Sequence, residues 1–225
     1  MKLKIKRQES PDEPAYWQTF DFESDKRLTV AGILDQLNYR DDPVDENGNL
    51  CRRIRWECSC MQKMCGGCAM VINGNPALAC GTFVDVPNTG ELILEPLSKF
   101  PVICDLAVDR SVIHEYEKTA MMYLGTRGKS SEKEFPHQYS AGKCLKCGLC
   151  LEVCPNYVKS SERFFGAFLA NESYLLHSAS ADRRDEIRKQ YRKHFASGCS
   201  KSLACRDICP VHMPTLASIS YMNRK

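Results

Sequence analysis

The chain has 225 residues, 43% of them hydrophobic and 26% charged, with a formal net charge of +3; this is the composition of an ordinary globular protein. Its length suits one large domain or two small ones. No run reaches the roughly 18 uncharged apolar residues of a membrane-spanning helix, and the opening MKLKIKRQES lacks the apolar stretch of a secretory signal, so a cytosolic chain is expected.

Charge is unevenly divided. Residues 1–105 carry 12 Lys and Arg against 16 Asp and Glu, a net of −4, whereas residues 106–225 carry 19 against 12, a net of +7. The basic half reads as a solvated helical surface or, more sharply, as a face for an anionic partner or membrane.

In chain order, LKIKR and YWQTFDF alternate and predict an N-terminal hairpin. TVAGILDQLNY places Val30, Ile33, Leu34 and Leu37 on one helical face, with Thr29 as its N-cap. RDDPVDENGN is a polar loop. AMVINGNPALAC carries Asn73-Gly74 between apolar runs, a tight hairpin signal, and ELILEPL is a further strand. Beyond residue 106 strand signals stop. SVIHEYEKTAMMYL and SSERFFGAFLANESYLL show helical spacing, and ADRRDEIRKQYRKHF is a charged helix. The fold class expected is α+β: residues 1–106 a small mixed unit compatible with a β-grasp domain, residues 107–225 an all-helical domain.

Fourteen cysteines dominate the chemistry. Disulfides are rare in a reducing cytosol, so the thiols point to metal or redox work. Buried-thiol packing accounts for residues such as Cys51 or Cys104, not for eleven cysteines in three short segments. Cys60, Cys65 and Cys68 stand as Cys-x4-Cys-x2-Cys, with Cys80 returning after the hairpin; this is plant-type 2Fe-2S spacing. Gly66 and Gly67 let backbone N–H groups approach the sulfurs. Cys58 breaks the spacing and is read as a neighbour. The competing reading is a four-cysteine zinc site.

CLKCGLCLEVCP runs Cys-x2-Cys-x2-Cys-x3-Cys-Pro, and CSKSLACRDICP nearly repeats it with Ser202 in the place of a cysteine. In two-cluster ferredoxins the fourth cysteine of a run ligates the other cluster. The expected sets are therefore Cys144, Cys147, Cys150 and Cys209 for a 4Fe-4S cluster, and Cys154, Cys199 and Cys205 for the second cluster. Three thiolates suit a 3Fe-4S cluster with Ser202 as non-ligand at the vacant corner. A 4Fe-4S cluster completed by the Ser202 oxygen or a distant thiol is the alternative.

These residues, with FFGAF and the terminal PTLASISYMNRK, resemble the iron–sulfur subunit of succinate dehydrogenase and fumarate reductase along nearly the whole chain. The resemblance implies an electron relay. A FAD-containing flavoprotein subunit interconverts succinate and fumarate, and single electrons pass through 2Fe-2S, 4Fe-4S and 3Fe-4S clusters to a quinone at a membrane-anchor subunit, whose haem content is left open. The chain is then a peripheral subunit on the cytoplasmic side, held by its partners, with no nucleic-acid partner and no substrate-converting site of its own. Consistent with this, it has no Gly-x-Gly-x-x-Gly dinucleotide fingerprint.

Many succinate dehydrogenases have a tryptophan soon after the first Cys-Pro. Here the run reads CPNYVKSSERFFG and no tryptophan follows Trp56, which tilts the reading towards a fumarate reductase using a low-potential quinol. Tyr157, His194 and His212 are the candidate quinone-side neighbours, and Arg224 and Lys225 face an anchor or end in solvent. A free-standing electron carrier, or the iron–sulfur arm of another flavoprotein complex such as a thiol–disulfide-linked one, are the other functional readings.

Overall fold

A computed structural model describes residues 1–129 and 131–224. The chain divides into two compact units, Met1–Asp109 and Arg110–Lys225.

In the first unit, β1 (Lys2–Arg7) and β2 (Tyr16–Asp21) form the antiparallel hairpin expected from their alternation, pairing Lys2 with Asp21 through Arg7 with Tyr16. Leu3 and Ile5 point inward and are fully buried; each contributes about 1.5–3 kcal/mol of apolar burial. A short β3 (Arg27–Thr29) leads into α1 (Val30–Asn38). The Thr29 side chain accepts the Gly32 N–H at 3.0 Å, and Val30, Ile33, Leu34 and Leu37 are all buried, as the periodicity predicts.

Next come β4 (Ala69–Ile72) and β5 (Asn75–Leu78), joined by Asn73 and Gly74 at φ 48° and 77°. Two positive φ values are the mark of a type I′ turn, which matches the twist of its strands. β6 (Phe83–Asp85) pairs with β3, and β7 (Glu91–Glu95) enters the main sheet parallel to β1. The five-stranded order is β2-β1-β7-β4-β5. β8 (Val102–Cys104) and β9 (Ala107–Val108) close the unit as a small ribbon.

An ion pair at the turn of that ribbon governs how the chain enters the first cysteine loop. Arg7 and Asp105 are 1% and 0% exposed, and Arg7 Nε donates to Asp105 Oδ1 at 2.9 Å. The same carboxylate accepts the N–H groups of Gln8 and Arg55 at 3.1 and 2.9 Å, while Arg7 Nη2 donates to the carbonyls of Arg52 and Arg53. Every lone pair and proton of a buried pair must be used in this way for burial to be tolerable.

The second unit is built from helices: α2 (Ser111–Thr119), α3 (Phe135–Ala141), α4 (Leu149–Glu152), α5 (Ala167–Ala179), α6 (Arg184–Tyr191), α7 (Ala204–Asp207) and α8 (Thr215–Met222). Among the described residues its only bridge is the isolated Arg127–Ser180 pair. The helical patterns of the sequence overrun the helices themselves. α2 stops at Thr119 because Met121 turns left-handed (φ 51°), and the Met121 and Tyr123 carbonyls accept from Arg183 instead. SSERFF is not helical; α5 starts only after Gly166, whose φ 86°, ψ −179° is open essentially to glycine alone. α6 loosens into a π turn at Arg192–Ala196.

α5 is the hub, packing on α3, α4, α6 and α8. Its polar side chains are spent inside the unit. Asn171 donates to Thr215 Oγ1 and accepts from Ser218, each at 3.0 Å. His177 Nε2 accepts from Arg188 at 3.1 Å, so Nδ1 carries the proton and faces the Tyr221 hydroxyl at 3.3 Å.

Candidate metal centres

The loop before β4 aims backbone N–H groups at sulfur. Cys60 Sγ accepts from Gln62 at 3.4 Å and Met64 at 3.2 Å, and these bonds draw its thiol down to about 7. Gly67 N–H donates to Cys65 Sγ at 3.4 Å, and Lys63 N–H to Cys80 Sγ at 3.3 Å. Met61, Lys63 and Gly66 all take positive φ, which turns successive N–H groups to the same side. Cys80 stands on the Ala79–Gly81 turn, against which α1 packs. Its sulfur lies 3.3 Å from that of buried Cys68. Burial and the neighbouring Cys80 push the Cys68 thiol up.

The chemistry of this donor set suits an iron–sulfur cluster: Cys68 lies against Cys80 and Cys60 against Cys65, and backbone N–H groups are directed at all four sulfurs. Cys58 lies close by, but its Sγ contacts Met61 Sδ at 3.0 Å, and burial, then the charges of Cys80, Cys65 and Cys60, raise its thiol.

In the second unit, one cavity is walled by Cys144, Cys147, Cys150, Cys205 and Cys209. Another is walled by Cys154, Cys199, Cys205 and Ser202. The fourth cysteine of each run thus lies with the first members of the other run, and Cys205 borders both spaces. Burial raises Cys144, takes Cys147 and Cys205 each to about 11 and Cys150 well above its ordinary value, and neighbouring thiols add to the rise. Crowded thiols of this kind hold their protons unless a cation compensates them. Iron does so, and these residues fit it.

The cysteine loops depend on left-handed residues. Lys146 and Gly148 flank Cys147 at φ 52° and 86°; Lys201 and Leu203 flank exposed Ser202 at φ 62° and 64°. Asn156 ties the two runs together, donating to the Gly198 carbonyl at 2.8 Å and accepting from Ser200 Oγ at 2.7 Å.

The three candidate quinone-side residues are dispersed in character. Tyr157 is 1% exposed, and its hydroxyl meets that of Tyr116 at 3.2 Å; the neighbouring Val158 is the exposed residue. His194 is buried in the π turn with its ring stacked 4.1 Å from Phe165. His212 is exposed at φ 49°. The backbone carbonyl of Arg224 accepts from Arg188, and Lys225 lies outside the described residues.

Sequence reasoning passed over a charge cluster beside the first cavity. Lys146, within the quoted CLKC run, reaches the carboxylates of Glu117 on α2 and Glu172 on α5 and lies 5.1 Å over the Phe168 ring. Only the tertiary fold brings positions 117, 146 and 172 together, so no spacing rule reveals them.

Comparison with known proteins places this geometry. Residues 2–115 match the family model of a 2Fe-2S iron-sulfur cluster binding domain, and residues 140–213 that of a 4Fe-4S dicluster domain. The chain is 29% identical to the succinate dehydrogenase iron-sulfur subunit of Bacillus subtilis strain 168, over 98% of this chain and 90% of that one. It is 33% identical to the fumarate reductase iron-sulfur subunit of Mycobacterium tuberculosis strain CDC 1551, over 79% and 74%. A chain of the Mycobacterium smegmatis Sdh1 complex has the same fold, with a TM-score of 0.76 at 21% identity over 98% of this chain and 92% of that one.

Proposed function

The chain belongs to the iron–sulfur subunits of succinate dehydrogenases and fumarate reductases, electron-transfer subunits that work with a catalytic flavoprotein subunit and membrane-anchor subunits and carry 2Fe-2S, 4Fe-4S and 3Fe-4S clusters; on that premise we propose which residues carry which part of the relay. Cys60, Cys65, Cys68 and Cys80 hold the 2Fe-2S cluster in a β-grasp domain, residues 1–106. Cys144, Cys147, Cys150 and Cys209 hold the 4Fe-4S cluster, and Cys154, Cys199 and Cys205 the 3Fe-4S cluster, in a helical ferredoxin domain, residues 107–225. When bound, the clusters supply one-electron redox chemistry.

The chain's own residues bind the clusters, orient them and set the charge around them. N–H donors at Gln62, Met64, Lys63 and Gly67 favour the negatively charged first site. The walls of Leu149, Leu151, Ala167 and Phe168 keep water from the second. The observation that carries the proposal is that six of the seven cysteines divide between two cavities as the two ligand sets require, with Cys205 lining both and Ser202 standing where an eighth belongs.

The reading places the subunit on the cytoplasmic side, held there by its partner subunits; no helix among the described residues is long and apolar enough to cross a membrane. The absence of tryptophan after Trp56 leans this reading towards fumarate reduction with a low-potential quinol.

Iron analysis with electron paramagnetic resonance on the intact complex tests the assignment. One 2Fe, one 4Fe and one 3Fe centre sum to about nine irons in this chain, with a three-iron signal in the oxidised state. About ten irons without that signal overturns the vacant corner. Succinate, fumarate and quinol assays on the same complex test the direction.

A further inference from the structure

The Lys146 side chain leaves the four-iron ligand loop between Cys144 and Cys147, lines the same cavity as those thiols, and ends between two carboxylates. Side-chain exposures of 25% for Lys146, 19% for Glu117 and 21% for Glu172 put all three charges largely out of water. One positive charge is thus embedded with two negative ones, beside a centre whose oxidised and reduced forms differ by one electron. Arg110 also acts on Cys147, so the ligand loop meets positive charge from two directions.

Half-buried charges interact several-fold more strongly than exposed ones at the same separation, and net charge near a cluster is one of the determinants of its potential. The position of the three groups is fixed by fold: Glu117 comes from α2, Glu172 from α5, and the left-handed φ of 52° at Lys146 turns the residue out of the loop. The ring of Phe168 beneath the ammonium restricts it further.

We infer that the Glu117–Lys146–Glu172 cluster sets the reduction potential of the four-iron centre: the ammonium favours the reduced form, and the two carboxylates hold that effect in check. The inference rests on the assignment of Cys144, Cys147, Cys150 and Cys209 to that centre. These are charge-setting residues. They touch neither substrate nor iron, and an influence of this kind differs from a structural role in the sign of what each substitution does.

The test is an electron paramagnetic resonance redox titration of the intact complex, following the four-iron signal, with the two-iron signal of the first unit as internal reference. Lys146→Gln lowers the four-iron potential by about tenfold in the reduction equilibrium, about 59 mV for one electron. Glu117→Gln raises it by a similar factor. Glu172→Gln raises it too and serves where Glu117→Gln fails to assemble. Lys146→Arg, which keeps the charge, leaves it in place. Shifts of the same sign for lysine and glutamate variants overturn the inference, as does an unmoved potential in variants that retain the four-iron signal. A parental complex with no reducible four-iron centre overturns the ligand assignment itself, so the two failures are distinguishable.

Discussion

Cys147 and Ser202 occupy equivalent seats. Each lies between two left-handed residues, Lys146 and Gly148 around the cysteine and Lys201 and Leu203 around the serine, and each loop runs directly into a short helix, α4 or α7. The serine loop keeps this shape without glycine at a cost of about 1–2 kcal/mol per left-handed residue. The backbone of a cysteine-bearing loop is thus present at Ser202, and one atom distinguishes it.

Replacing that atom is therefore expected to complete the corner. Ser202→Cys raises the iron content by about one per chain and replaces the oxidised three-iron signal with a reducible four-iron one. Iron analysis and low-temperature spectroscopy of the complex check this; an unchanged iron content and three-iron signal would show that the seat is not equivalent in use.

At the first centre, Cys58 and Cys60 are expected to differ sharply despite lying two residues apart. Cys58→Ser removes a contact with Met61 and leaves the visible spectrum and iron content at parental values. Cys60→Ser removes the thiol that receives the Gln62 and Met64 N–H groups, and the two-iron signal is lost while the other two persist.

The Arg7–Asp105 pair should be far more costly to halve than to remove. Asp105→Ala strands a buried guanidinium and frees the Arg55 N–H, destabilising the first unit by about 3–5 kcal/mol and weakening retention of the two-iron cluster. Arg7→Met combined with Asp105→Leu costs less than Asp105→Ala alone. Denaturant melts followed by the two-iron absorbance rank the three proteins.

A pH dependence follows from His177. Burial, then the charges of Arg188 and Arg184, hold its pKa at about 4 against an ordinary 6.5. The unfolded chain therefore binds a proton between those values and the folded one does not. The stability is complete above pH 6.5 and falls as the pH drops towards 4, by about 3 kcal/mol in all. Melting temperatures across that window should decline in the parental protein and much less in His177→Gln.

Local patterns were the most legible part of the chain. Thr29 as a cap, the Asn73-Gly74 turn and the buried face of α1 each depend on neighbours a few residues away, and each stands where the pattern puts it. The cysteine runs were legible as runs, and their members line two cavities, with Cys205 on both. Helix ends were less legible: the spacing in SSERFFGAF continues through Gly166, but its backbone conformation does not. The Arg7–Asp105 pair and the Glu117–Lys146–Glu172 cluster join residues from separate elements, and no periodicity encodes such encounters. Tyr157, placed by its position after Cys-Pro, has its hydroxyl engaged in the interior, since Tyr116 offers it a buried partner.

The left-handed turns at Lys201 and Leu203 have a consequence for how damage at the terminal cluster is detected. The loop already has the left-handed backbone of the Cys147 loop, so with the proposed three-iron site beside it, gain or loss of an iron there is expected to leave the backbone in place. Hydrogen exchange and limited proteolysis register almost nothing, and only metal counts and magnetism report the event.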